Sequence, residues 1–160
     1  MDMQNNSLEQ FAAKLASAAP TPGGGGAAAL AGALAVALGN MVGSLTVGKK
    51  KYADVEDRIK ELNAASEELR AKLLAQMDED AKAFEPLSKA YGIPKDAPGR
   101  DEELERCLHA AAEPPMNILR LSCEAMDLIA EYAEKGSHTD EKIMKLLVRA
   151  IKVVMDYEEE

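Results

Sequence analysis

The sequence predicts an all-α protein, a multi-helix bundle around one apolar, Ala/Gly-rich central helix, with one long kinked helix. Three observations carry that expectation. Hydrophobic residues make up 47% of the chain, yet aromatics only 4%, with no Trp. Ala, Leu and Met supply the apolar content, and these lose little entropy in a helix, whereas strands favour β-branched and aromatic residues. Apolar residues recur at three- and four-residue spacings, and no segment sustains period-two alternation. Finally, Gly23 to Val47 is a stretch of 25 residues without a charge, apolar on every side, as expected of a helix that others surround.

The elements follow in order. Ser7 with Gln10 fits a capping box, and Leu8, Phe11, Ala12 and Leu15 form one face of the helix it opens. Pro20-Thr21-Pro22 and the four glycines from Gly23 to Gly26 stop that helix and turn the chain. The central helix is expected from about Gly26 to Val47; each of its glycines lowers helix stability, so close packing or a ligand should compensate. A long helix follows from about Ala53 to Tyr91. Val55, Ile59, Leu62, Leu69, Leu73, Met77, Phe84 and Leu87 lie on one stripe of it, and Pro86 is expected to kink it. Gly92 to Gly99 is a loop. The next helix starts near Asp101 with Leu104, Cys107, Leu108 and Ala111 inward. Pro114-Pro115 interrupts it, and Pro115 can open a continuation carrying Ile118, Leu121, Ala125, Leu128 and Ile129. After Gly136, Thr139-Asp140 can cap a last helix with Ile143, Leu147, Ala150, Ile151 and Val154.

A length of 160 residues suits one domain. The net charge of −9 repels a phosphate backbone, so nucleic acid is not an expected partner. Cys107 and Cys123 form no CxxC and read as small core residues of a reducing compartment. His109 and His138 give no metal-ligand spacing, so no metal is expected. Asp2 and Glu9 stand where a signal peptide needs positive charge, which makes the expected location cytoplasmic. The uncharged stretch is long enough to cross a bilayer. Its Ala and Gly content, with Asn40, Ser44 and Thr46, instead reads as a buried helix of a protein without a membrane partner.

Two nucleotide-binding patterns nearly match. Gly43 to Lys50 approaches the P-loop, but Lys50 stands where the magnesium-binding hydroxyl is required, and the segment ends a helix rather than opening one. Gly23, Gly25 and Ala28 fit GxGxxA, with no preceding strand. What remains is a glycine-rich turn at a helix start, whose free N–H groups can hold an anion or a polar heterocycle; a plain tight turn answers to the same residues. Lys49-Lys50-Lys51 is the only basic triplet. It fits a helix C-terminal cap, or a local anion site for a substrate carboxylate or phosphate.

The long helix carries the sharpest chemical signal. Projected at about 100° per residue, Asp80 falls inside the apolar stripe between Met77 and Phe84, and Asp78 falls on the solvent side. Burial disfavours the charged form of a carboxyl group, which suits a general base near neutral pH; a structural ion pair to a neighbouring helix is the alternative.

These segments also carry a resemblance. Phe11-Ala12 with Leu15-Ala16-Ser17, then Pro20 to Gly25 and the Ala-rich helix, resemble the cyclodeaminase/cyclohydrolase family. This is the C-terminal half of formiminotransferase-cyclodeaminase and its free-standing relatives. Leu45 to Tyr52, Asp78 to Phe84, Tyr91 with Pro94-Lys95, and Ala111 to Pro115 agree in order. The resemblance implies an all-helical, homodimeric folate enzyme with no cofactor beyond its tetrahydrofolate substrate. The first activity it implies is conversion of 5-formiminotetrahydrofolate to 5,10-methenyltetrahydrofolate and ammonia. Methenyltetrahydrofolate cyclohydrolase is the alternative, and a non-catalytic folate-binding or dimerisation module of the same fold a further one. It makes Asp80 the catalytic base. Pro22, Gly23, Gly24, Gly25, Thr46, Lys49 and Lys50 become substrate-binding, the lysines toward the glutamate tail of a polyglutamylated folate. Family members carry an Asn-rich loop and some tens of further residues after the position of Lys135-Gly136. Against that pattern, residues 1–160 read as a single domain shortened at its C-terminus.

Overall fold

The computed structural model describes residues 3–137, and the expected last helix from Thr139 lies outside them. The described residues are helical, without a strand. A 3₁₀ turn at Met3–Asn5 leads to α1 (Leu8–Leu15), α2 (Gly23–Thr46), a second 3₁₀ turn (Lys50–Tyr52), α3 (Glu56–Ala90) and α4 (Arg100–Lys135). Ser7 caps α1 with the full capping box, its hydroxyl accepting from Gln10 N while the Gln10 side chain accepts from Ser7 N.

Two helices run further than expected. α2 begins at Gly23 rather than Gly26, so the glycines form its first turn. α4 passes through Pro114-Pro115 without a break. The two prolines lack N–H groups, so the carbonyls of Ala110 and Ala111 lose their i+4 donors. Burial on both sides of the gap compensates. Cys107 packs with Leu87 and Ala90, and Pro114 and Ile118 are themselves buried.

The chain forms two compact units, Met1–Ala29 with Leu74–Ile118 and Leu30–Leu73 with Leu119–Glu160. In the first, Leu87, Ala90 and Cys107 form a core against Phe84, Ile93, Leu104 and Ala111. The Arg100 guanidinium donates to the Ile93 carbonyl at 3.0 Å, which ties the 92–99 loop to the start of α4. In the second unit, Ala35, Val42, Ile59, Leu62, Ile129 and Tyr132 form the core.

The glycines of α2 have a packing reason there. Tyr132 lies against the bare backbone of α2; a Cβ at Gly39 would stand 3.0 Å from its ring, and one at Gly43 2.6 Å. The buried phenol bonds Ser66 Oγ at 3.0 Å and donates to Asn63 Oδ1 at 2.8 Å. Asn40 in turn donates to the Asn63 carbonyl at 3.3 Å. Burial pushes the Tyr132 hydroxyl pKa above its ordinary value. On the surface, Arg58 forks onto both Glu131 oxygens, at 2.7 and 2.8 Å. That pairing and the neighbouring Glu61 hold the guanidinium above its usual range.

Several faces differ from the periodicity. α2 is not enclosed on every side: it is long and apolar enough to cross a bilayer, with 44% of its most apolar window buried inside the protein. Leu34, Met41 and Leu45 are exposed. In α1 only Phe11 is buried, and Leu8 is 72% exposed. On α4, Leu108 and Cys123 face outward while Cys107 is buried. An apolar stripe identifies a face that needs cover, but short α1 buries a single side chain, and α4 presents apolar residues on a second face as well. The α3 stripe holds, with Ile59, Leu62, Leu69, Leu73, Met77 and Leu87 all buried.

Tyr132→Phe removes one partner from a buried network and is expected to cost about 1–2 kcal/mol. Gly43→Ala, which forces Asn63 and the Tyr132 ring aside, is expected to cost about 1–3 kcal/mol. Denaturant titration of both variants measures this; a Gly43→Ala protein as stable as the parent would contradict the packing.

Candidate functional site

The acidic run on α3 divides differently from the helical projection. Asp80 is half-buried and packs directly against Gly25 in the first turn of α2: a Cβ on Gly25 would stand 2.5 Å from Asp80 Oδ1. Asp78, expected in solvent, is buried at 8% exposure. The N-terminal 3₁₀ turn covers it, with Met3 N donating to Asp78 Oδ1 at 2.8 Å and Gln4 Nε2 reaching Oδ2 at 3.5 Å. Periodicity locates the face that meets the core; it carries no information about a segment from far along the chain that covers the opposite face. Glu79 is exposed and pairs with Lys82 at 2.8 Å, which holds the Lys82 ammonium above its ordinary range.

The first turn of α2 is built to be approached. Gly23 has φ +60°, a backbone conformation that favours glycine. Thr21 and Pro22, just before it in the chain, are buried. The first N–H groups of a helix have no acceptor within it, and its positive end favours negative charge nearby. The missing side chain of Gly25 therefore lets the Asp80 carboxylate lie against an N–H-rich, electropositive helix start. Gly24 has open space where a side chain would be.

A cavity of about 450 Å³ lies between α3 and α4; Asp80 is not one of its lining residues. Gln76, Glu79, Lys82 and Ala83 of α3 line it, opposite Ala110, Glu113, Pro114 and Asn117 of α4. Gln76 and Ala83 stand four residues before and three after Asp80, so they share its side of α3. The volume lies within the range of small-ligand sites. Gln76 Oε1 is buried with no hydrogen-bond partner among the described residues.

Of the predicted substrate-binding residues, the structure brings the Pro22–Gly25 turn to Asp80. The others belong to the second unit. Thr46 is 1% exposed, and its hydroxyl donates to the Val42 carbonyl and accepts from Ser137 N at 2.9 Å. It clasps the end of α4 rather than facing a ligand. Lys49 and Lys50 are exposed, and Lys51 lies 5.3 Å over the Tyr52 ring. Sequence reasoning assigned no role to Gln76 or Glu113. The i−4 spacing of Gln76 from Asp80, and the helix-weakening prolines beside Glu113, were the available signals.

The described residues form a helical fold that sets a carboxylate against a glycine-rich helix start, an arrangement of the kind small-ligand sites use. The sequence matches the formiminotransferase-cyclodeaminase family across residues 7–150, and the chain belongs to that family. It is 42% identical over 137 residues to a methenyltetrahydrofolate cyclohydrolase of Methylorubrum extorquens, spanning 83% of this chain and 66% of that protein. It is 33% identical over 131 residues to a formimidoyltransferase-cyclodeaminase of Dictyostelium discoideum, spanning 82% of this chain and 24% of that one. The crystal structure of a formiminotetrahydrofolate cyclodeaminase from Thermotoga maritima superposes with a TM-score of 0.83 at 34% identity, covering 96% of this chain and 76% of that one.

The Gly25–Asp80 contact gives a paired test. Gly25→Ala is expected to displace the carboxylate and lower activity about 10- to 100-fold, as misplacement of a reacting group does. Gly24→Ala, whose methyl meets no protein atom, is expected to gain slight stability and to lose less activity than Gly25→Ala, because it leaves the carboxylate in place. Steady-state kinetics with melting curves for both variants would decide; equal activities would remove Gly25 from the site.

Proposed function

We propose that the chain is an enzyme of tetrahydrofolate one-carbon chemistry, acting as a methenyltetrahydrofolate cyclohydrolase with Asp80 as its general base. The observation that carries the reading is the Asp80 carboxylate set against the glycine start of α2. The choice between activities rests on the 42% identity to a protein named as a cyclohydrolase. The cyclodeaminase activity expected first from the sequence becomes the second reading, favoured by the fold shared with the Thermotoga maritima cyclodeaminase.

The chemistry asks the same service of Asp80 in either case. In hydrolysis, Asp80 takes a proton from water as its oxygen bonds to the cationic methenyl carbon, giving a neutral carbinolamine. The proton then passes to N5 as the carbon–N5 bond breaks. Loss of the hydroxyl proton leaves the 10-formyl group, with one proton released overall. In cyclodeamination, N10 attacks the formimino carbon and Asp80 takes the N10 proton. That proton is returned to the departing nitrogen, and ammonia leaves. The positive end of α2 keeps a charge-bearing carboxylate favourable between these transfers.

The stripe of exposed Leu34, Met41 and Leu45 with half-buried Leu38, at alternating four- and three-residue steps, is proposed as the seam of a homodimer. Lys49 and Lys50 are proposed to attract the carboxylates of a polyglutamate tail, an interaction that weakens with salt.

Turnover can be followed by the methenyl chromophore, which disappears in hydrolysis and is formed in cyclodeamination. Asp80→Asn is expected to lower turnover by about 10²- to 10⁴-fold with folate binding retained. Undiminished turnover would remove Asp80 as the base. Release of ammonia from 5-formiminotetrahydrofolate, with no hydrolysis of the methenyl form, would favour the second reading. Binding without either reaction would mark a non-catalytic module. For the seam, sedimentation of Leu34→Glu with Met41→Glu is expected to give half the parent mass; an unchanged mass would place the interface elsewhere.

A further inference from the structure

The cavity between α3 and α4 holds acceptors that the base chemistry at Asp80 does not use. Gln76 Oε1 is a buried acceptor without a donor among the described residues. A buried acceptor of this kind is a place where a donor from a ligand can bond at little desolvation cost. Across the cavity, Pro114 has no N–H, so the Ala110 carbonyl lacks the i+4 donor that a regular helix supplies. Glu113 lies between those two residues on the same wall. Its carboxylate takes part in no ion pair or hydrogen bond among the described residues. The one cation lining the cavity, Lys82, is held by Glu79. Beside the Asn117 amide and the Lys82 ammonium, the cavity holds three acceptors without a donor among the described residues, Gln76 Oε1, the Ala110 carbonyl and the Glu113 carboxylate, and these suit a ligand edge that carries N–H groups.

The geometry points to this cavity as the subsite for the 2-amino-4-oxopyrimidine edge of the reduced pterin, with the Glu113 carboxylate accepting from the 2-amino group and the adjacent ring N–H. Those two N–H groups are parallel and point the same way, the fork geometry that carboxylates accept in pairs from guanidinium groups. Gln76 Oε1 and the Ala110 carbonyl supply acceptors for other N–H groups around the ring. Glu113 is then a specificity-determining residue, while Asp80, on the same side of α3 as Gln76, serves the one-carbon end of the molecule. The inference rests on the folate reading above and goes beyond it by assigning which end of the substrate the α4 wall recognises.

The test pairs one substitution with one ligand change. The probes are 5-formyltetrahydrofolate and its 2-desamino-2-methyl analogue, with affinities measured by calorimetry for the parent protein and for Glu113→Gln. The parent is expected to bind the analogue about 10- to 100-fold more weakly than the probe, the worth of hydrogen bonds to a charged group. Glu113→Gln is expected to bind the probe about 10- to 100-fold more weakly and to distinguish the two ligands much less. Glu113 is exposed, so the variant should keep the parent's melting temperature, which is measured alongside. A Glu113→Gln protein that binds both ligands as the parent does would overturn the subsite while leaving the folate reading intact. A parent that binds neither ligand would overturn the folate reading, and the subsite with it.

Discussion

Side chains are absent from α2 at the points where two neighbours lie against its backbone. At Gly25 the neighbour is the Asp80 carboxylate; at Gly39 and Gly43 it is the Tyr132 ring. A glycine inside a helix costs about 0.5–1 kcal/mol relative to alanine. In the second unit the compensation is a buried aromatic ring with its hydroxyl bonded to Ser66 and Asn63. In the first unit it is access for a charged group to the unsatisfied N–H end of the helix. The same bareness therefore stabilises the fold at one place and shapes the candidate site at another.

The candidate site draws on two irregular stretches of helix. The α2 start offers backbone N–H groups near Asp80, while the α3–α4 cavity adds carbonyl and carboxylate oxygens beside the Lys82 ammonium and the Asn117 amide. Both stretches follow from covalent chemistry. A helix start has donors to spare, and a proline pair inside a helix leaves carbonyls short of them. Both irregularities face α3: the glycine start of α2 meets Asp80, and Pro114 of α4 lines the cavity with Gln76 and Ala83. Strain of this kind concentrates where a ligand can relieve it, whereas the Tyr132 network, fully paired, reads as structure alone.

Much of this was legible in the residues. The capping box at Ser7 and the core stripe of α3 follow from local spacing, whereas the burial of Asp78 does not. The outward turns of Leu8, Leu108 and Cys123 do not, because an apolar residue on a helix says only that burial is favourable, not that a partner is present. The continuity of α4 through Pro114-Pro115 was likewise hidden. Two lost hydrogen bonds end an isolated helix, yet here packed side chains on both sides of the gap hold the axis.

The sequence by itself determined the helical class, the order of the elements and the family, because helix propensity, caps and the 3.6-residue period are local properties. Only the tertiary structure decided what each helix meets. It buried Asp78 under Met3, laid Asp80 against Gly25, and turned Thr46 into a clasp for Ser137 instead of a ligand contact. These contacts join residues 55 to 91 positions apart in the chain. Their free energy depends on which surfaces exclude water together, and no local period records that.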